Sequence, residues 1–250
     1  MPGMTMEATA LAEDEAAPTK MARILALLAA TYGMPANHPT GDALDGLVGT
    51  ILSQHTSDVN SARAHRALRA AFPTWRAVLD APEEAVAAAI RSGGLAQVKA
   101  RRIKDVLARV AAACPDFDLG FLARLPLADA RAWLEALPGV GPKTAACVLL
   151  FDLGRPALPV DTHVHRVARR LGLIGARVGA AAAHPLLEAQ LCPEQVYACH
   201  VLFITHGRRV CKAPAPRCEV CPLTAECAYY GGLRTQDSVA DCCMKHRGFT

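Results

Sequence analysis

The chain has 250 residues, of which 52% are hydrophobic, 20% charged and only 5% aromatic. That balance excludes a disordered chain and leaves room for one large core or two moderate ones. The net charge of +4 is uneven: residues 1–20 hold four acids and one base, leaving 26 bases against 19 acids in the rest. A moderately basic body suits a polyanionic partner, although genome composition alone would also account for 21 Arg against 6 Lys.

In chain order, residues 1–19 read as a flexible leader rich in Ala, Met and acids. From Lys20 the pattern is helical almost without a break. Leu44, Leu47, Val48, Ile51 and Leu52 repeat at the 3.6-residue period and share one helix face. Thr56 or Ser57 is placed to cap the next helix, which carries Val59, Ala62, Leu68 and Phe72. Short helices are expected at about 74–80 and 83–91, interrupted by Gly93–Gly94, then a basic helix from about Gln97 to Ala113. Further helices are expected near 127–136, 142–153, 161–171, 180–191 and 194–207, with no alternating run long enough for a strand. The fold class is therefore all-α. Gly154–Pro159 breaks the pattern and reads as a crossing between two helical lobes; residues 233–250 read as an irregular tail.

The apolar clusters Ile24–Ala30 and Ala145–Phe151 are core-sized, well short of the ~18 residues of a membrane span. The N-terminus lacks the basic and apolar regions of a signal peptide. A soluble cytoplasmic protein with no membrane partner is expected, nucleoid-associated if bacterial. Ten cysteines in such a chain point to metal or redox chemistry rather than disulfides. Cys114, Cys147, Cys192 and Cys199 sit singly in apolar contexts and read as small core residues, whereas Cys242–Cys243 have no evident role. Cys211, Cys218, Cys221 and Cys227 place four thiols within 17 residues. Zinc or an iron–sulfur cluster would each accept such a set, but only one CxxC is present, unlike the paired CxxC of zinc ribbons.

The most specific stretch is Leu134–Ala145, LEALPGVGPKTA. It reads as a helix, a tight turn and a second helix with Pro142 at its first position. Gly139 and Gly141 can adopt positive φ and leave N–H groups, with that of Val140, open to an anion at the positive helix end. Contacts of this kind hold a phosphate without reading sequence. Lys143 stands in the first turn of the second helix, where a cation opposes the helix dipole by up to ~1 kcal/mol, and a rule broken without visible compensation points to function. Asp161 is a natural helix cap, and a capping carboxylate can also face a developing positive charge.

The hairpin resembles the helix-hairpin-helix motif of the DNA glycosylases, most closely the endonuclease III family. The resemblance extends to ILSQHTSD at 51–58, GGLAQVKARRI at 93–103, PVDTHVHRV at 159–167 and HGRRVC at 206–211, covering roughly residues 20–232. It implies a six-helix barrel over 41–154 carrying the hairpin at 134–145, and a second lobe joining 20–40 to 155–232, with a DNA groove between them. It also implies a [4Fe–4S] cluster on Cys211, Cys218, Cys221 and Cys227.

By the same resemblance Lys143 displaces the damaged base and forms a Schiff base, Asp161 assists, and β-elimination then nicks the strand. Leu95 corresponds to an apolar wedge that supports the gap left by an extruded nucleotide. Gln54 and His55 lie in the other insertion loop, with His55 where Gln is common, and Ala96 replaces a polar or aromatic residue. Lys99, Arg208 and Arg209 are expected to meet DNA, with Lys212 and Arg217 near the cysteine loop. The expected function is removal of oxidised pyrimidines and cleavage of abasic sites in double-stranded DNA, by a monomer. Two other readings stand beside it. An adenine-mismatch glycosylase normally has an extra C-terminal domain and no Lys at position 143. A DNA-binding or damage-sensing protein with little turnover is the other.

Overall fold

The computed structural model describes residues 17–232, so most of the leader, the whole tail and Cys242–Cys243 lie outside the described residues. The α-helices of the described residues include α1 Lys20–Tyr32, α2 Ala43–Ser53, α3 Asp58–Ala71, α4 Trp75–Asp80, α5 Glu83–Ala89, α6 Ala96–Ala113, α7 Leu127–Glu135, α8 Pro142–Cys147, α9 Thr162–Leu171, α10 Ala180–Glu188 and α11 Gln195–Arg209, and residues 228–232 are also helical. No strand occurs among the described residues, and no helix there is long and apolar enough to cross a membrane. The all-α class is the observed one.

Side-chain caps account for five of the helix starts. Thr19, Asp42, Ser57, Thr74 and Asp161 each accept a backbone N–H of the first turn through a side-chain oxygen, worth ~1 kcal/mol apiece. Of the two candidate caps before α3, the structure uses Ser57. The α2 stripe is fully buried, with Leu44, Leu47, Val48, Ile51 and Leu52 at 1% exposure or less.

Buried residues form two cores. One gathers α2 to α7 and the start of α8, from Ala43 to Ala157. The other gathers α1 with α9, α10 and α11, from Met21 to Leu223. Each large aliphatic side chain withdrawn from water into either core contributes roughly 1.5–3 kcal/mol. The helix begun by α8 runs on through a π-helical stretch, Val148–Asp152. Val148 and Leu149 enter the first core, and Leu150 enters the second. One continuous rod therefore belongs to both cores, and its π turn re-registers the side chains where the change of core occurs.

The segment joining α1 to α2 closes back on this rod. Thr40 and Gly41 N–H groups donate to the Phe151 and Asp152 carbonyls, and Thr40 Oγ1 donates to Asp152 Oδ1 at 2.7 Å. The Asp152 carboxyl lies so close to Gly46 that a Cβ there would stand 1.8 Å from Oδ2. Burial raises the Asp152 pKa from 3.8 to about 6, partly offset by the Thr40 hydroxyl. The folded carboxyl thus keeps its proton to higher pH than the unfolded one, so this group's contribution to stability is lost as pH rises through about 6. Asp152→Asn is expected to raise Tm at pH 8 by a few degrees (about 2–4 °C per kcal/mol at this size) and to leave it unchanged at pH 4. Equal shifts at both pH values in thermal melts would count against this assignment.

Candidate active site

Gly154–Pro159 leaves the rod as an irregular segment, buried from Ala157 on, whose backbone must be satisfied by other groups. Side chains of α10 and α11 do this, while the segment's own Arg155 ties it to the turn before α7. Arg155 Nη1 donates to the carbonyls of Leu122, Ala123 and Leu125. Glu188 accepts from Leu158 N–H and from Arg131, both at 2.7 Å. His184 Nδ1 donates to Leu158 O and His200 Nδ1 to Pro159 O, each at 2.8 Å. Burial drives both imidazoles toward the neutral form, His200 to about 4. Neutral rings suit this task because one N–H per ring is spent on a carbonyl.

The segment delivers Asp161 to the start of α9. Asp161 Oδ1 accepts from His163 N and Val164 N, both at 2.8 Å, while the carboxylate lines an open cleft of about 630 Å³. Lys143 lines the same cleft from the first turn of α8, together with Ser53, Gln54, His55, His165, Arg166 and Arg169. Sequence reasoning gave His165, Arg166 and Arg169 no role. His165 Nε2 donates to Val178 O at 2.8 Å. Arg166 is anchored by Gly207 O and Cys211 O at 2.9 and 3.0 Å. Their signal was the i, i+1, i+4 spacing that brings 165, 166 and 169 to one side of α9. Beneath Lys143 lies buried Cys147, whose thiol is pushed up by burial and partly drawn back by the Lys143 charge.

The hairpin is present but differs in detail from the sequence expectation. Gly139 has φ +70°, and a Cβ there would stand 2.5 Å from Arg102 Nε, so the turn rests on that guanidinium. Gly141 is extended instead, with φ −103° and ψ 179°, and a Cβ on it would meet nothing within 4 Å. No contact among the described residues requires glycine there. Val140 is corrected: its side chain is buried at 6% exposure and its N–H donates to Leu137 O at 3.1 Å, leaving nothing for a phosphate.

The two insertion loops share a backbone feature. His55 and Leu95 both have positive φ, 53° and 49°, and both are exposed, Leu95 by 57%. That exposure rules out a core role for Leu95. Non-glycine residues held in this region commonly mark functional loops. Gln54 accepts from Arg102 Nη1 at 2.7 Å.

Three basic residues depart from expectation. Lys99 is 3% exposed, and its Nζ donates to Leu52 O and Gly93 O, so burial excludes a direct DNA contact. Arg209 stacks over Tyr32, 5.7 Å from the ring centre, and lines a different surface from the cleft. Arg208 is exposed but paired with Asp58 at 3.4 Å, a link between α11 and α3. Among the single cysteines, Cys192 is corrected from core to surface: it is exposed in the turn before α11.

Cys211, Cys218, Cys221 and Cys227 surround one cavity floored by Val167, Leu171 and His206. Donors already point at the sulfurs: Arg170 Nη1 at 3.3 Å from Cys211, and Leu223 N at 3.4 Å from Cys221. His206 Nε2 lies 3.6 Å from Cys221, and its Nδ1 lies 3.0 Å from the Tyr32 hydroxyl. Burial, then the neighbouring thiols, raises the pKa of Cys218; burial also raises that of Cys221, against the pull of the Leu223 N–H. Four thiols crowded in this way ionise together only around a positively charged centre. The donor set thus fits a thiolate-bound metal group.

Comparison with known proteins agrees with this arrangement. Residues 48–189 match the HhH-GPD superfamily of base excision DNA repair proteins. An Arabidopsis thaliana protein named as a candidate DNA glycosylase is 39% identical over 165 residues, 66% of this chain, which spans 56% of that longer protein. Endonuclease III of Thermotoga maritima is 34% identical over 197 residues, 78% of this chain and 87% of the relative. A solved structure of a trapped endonuclease III–DNA covalent intermediate superposes with a TM-score of 0.72 at 28% identity, over 87% of this chain and all of that one.

The two hairpin glycines are expected to respond differently to substitution. Gly139→Ala is expected to lower Tm, because both its φ and the Arg102 contact oppose a side chain. Gly141→Val should leave Tm unchanged and weaken binding to damaged and undamaged duplexes alike, on the order of tenfold, the scale of one lost charge-assisted hydrogen bond. Fluorescence anisotropy with labelled duplexes, beside thermal melts, separates the two.

Proposed function

We propose a reaction for a chain that belongs to the HhH-GPD superfamily of base excision DNA repair proteins and, within it, to the endonuclease III family. As a DNA glycosylase of that kind it acts on oxidised pyrimidines in duplex DNA and then cleaves the abasic site. The observation that carries this reading is the convergence of Lys143 and Asp161 on one open cleft beside the His55 loop.

The free amine of Lys143 attacks C1′ of an extruded nucleotide; the glycosidic C–N bond breaks with its electron pair leaving on the base, which takes up a proton from water. The Asp161 carboxylate offsets the positive charge that develops on the sugar during this step. The C1′–O4′ bond then opens as one proton passes from the new C–N ammonium to O4′, giving an iminium between Lys143 and C1′. Loss of a C2′ proton then expels the 3′ phosphate by β-elimination, and water releases the lysine. Arg169, exposed on the cleft wall, is suited to a flanking phosphate. The partner is double-stranded DNA holding a damaged base or an abasic site, and the acting unit is a monomer.

The similarity to endonuclease III suggests a metal cofactor. Four thiols arranged around one cavity, with a single CxxC among them, suit a [4Fe–4S] cluster better than the paired CxxC of a zinc ribbon. Cys211, Cys218, Cys221 and Cys227 would hold it, and its role would be to fold the short C-terminal loop.

The test is a set of duplexes, each with one lesion, incubated with and without borohydride. Covalent trapping on abasic or thymine-glycol DNA is expected, and Lys143→Gln should abolish it while retaining binding. Asp161→Asn should keep the helix cap and Tm but lower base release by on the order of a hundredfold, the scale of a lost transition-state charge. Undiminished trapping by Lys143→Gln would remove that lysine from the reaction. The purified protein is expected to be brown and to hold about four irons per chain; stoichiometric zinc and no visible absorbance would overturn the cofactor assignment.

A further inference from the structure

Lys99 lies on α6, in the same helical stripe as Ile103, Val106 and Val110, all fully buried. A lysine on an apolar stripe normally extends its amine to water. Here the ammonium is buried, and both its protein partners are backbone carbonyls: Leu52 O at 2.7 Å and Gly93 O at 2.8 Å. No carboxylate pairs with it among the described residues. Burying an unpaired cation is costly, and an apolar side chain would fill the same space at less expense to folding. What the charge gains is its reach to two particular carbonyls.

Those carbonyls stand at the bases of the two insertion loops. Leu52 is the last fully buried residue of α2, three positions before His55. Gly93 lies two positions before Leu95, packed so that a Cβ there would meet Ala64 at 3.1 Å and Lys99 Nζ at 4.0 Å. One turn further along α6, Arg102 makes a second tie, to Gln54 Oε1 at 2.7 Å. The loops are thus held to a single helix, and each presents one exposed residue in the left-handed region, His55 and Leu95.

We propose that Lys99 is a positioning residue: its buried ammonium fixes the separation of the two insertion loops, so that His55 and Leu95 enter an opened base stack together. This rests on the glycosylase reading, because only an enzyme that extrudes a nucleotide needs two side chains placed at once in the gap. Lys99 itself touches neither the sugar nor the base. Its effect is confined to the stack-opening step and should be absent where the stack is already broken.

The variants are Lys99→Met, which keeps the stem and removes both hydrogen bonds, and Lys99→Gln, which keeps a donor for one of them. Single-turnover base release from a stacked thymine-glycol duplex is expected to fall on the order of ten- to a hundredfold in Lys99→Met, the scale of a catalytic group misplaced by about 1 Å, and less in Lys99→Gln. Borohydride trapping on a preformed abasic site should stay within about twofold of the wild type, since little stacking remains to be broken there. A second readout needs no turnover: in a Lys143→Gln background, 2-aminopurine beside the lesion brightens when the stack opens, and Lys99→Met should reduce that rise at saturating protein. Equal losses on both substrates, or an unchanged 2-aminopurine response, would overturn the proposal and leave Lys99 as a packing residue. Failure of the wild type to release any base would instead refute the glycosylase reading, while the 2-aminopurine comparison would still decide the role of Lys99.

Discussion

The reversal at Gly139 is the constraint on which the rest of the molecule hangs. It requires positive φ and leaves no room for a side chain above the Arg102 guanidinium. From it starts the one helix that belongs to both cores, with Lys143 in its first turn and the π stretch at its far end. Lys143 is therefore fixed by packing on two sides rather than carried on a loop. The same guanidinium grips Gln54, so the hairpin turn and one insertion loop share a support. A displacement of this turn would reach Gly141, Lys143 and the Gln54 loop together.

Asp161 reaches the cleft by a different route. It stands at the end of an irregular crossover, buried from Ala157 on, and such a segment survives only if its carbonyls and N–H groups find partners. Glu188, His184 and His200 of α10 and α11 supply them, while the crossover's own Arg155 ties it to the Leu122–Leu125 carbonyls of the other core. Capping of α9 then consumes one carboxylate oxygen and orients the other. The cap and the proposed electrostatic role do not compete, because they use different oxygens of one group. Polar groups that look like structural glue are thus what sets the height of Asp161 on the cleft wall.

Much of this was legible in the sequence because the relevant physics is local. The α2 stripe, the Ser57 cap, the Gly139 turn and Pro142 at a helix start each follow from residues within four or five positions. The lysine at 99 was misread for the opposite reason. Its neighbours Arg101, Arg102 and Lys104 make the helix look like a basic DNA-facing surface, yet position 99 falls on the stripe of Ile103, Val106 and Val110. The period held the answer, and the composition hid it. His184 and His200 gave no local sign, since the carbonyls they hold lie 26 and 41 residues away. Gly141 does not take the positive φ that its place beside Gly139 suggests: it is extended, and a Cβ there would meet nothing within 4 Å.

The amine in the first turn of α8 is proposed as the group that bonds to the sugar. Peptide mapping of the borohydride-reduced protein–DNA adduct, after nuclease and protease digestion, identifies that group. A deoxyribose-derived mass is expected on the peptide containing Lys143, with cleavage after that residue blocked and the other lysines unmodified. The same mass on the N-terminal amine or on any other lysine, with Lys143 unmodified, would contradict this assignment.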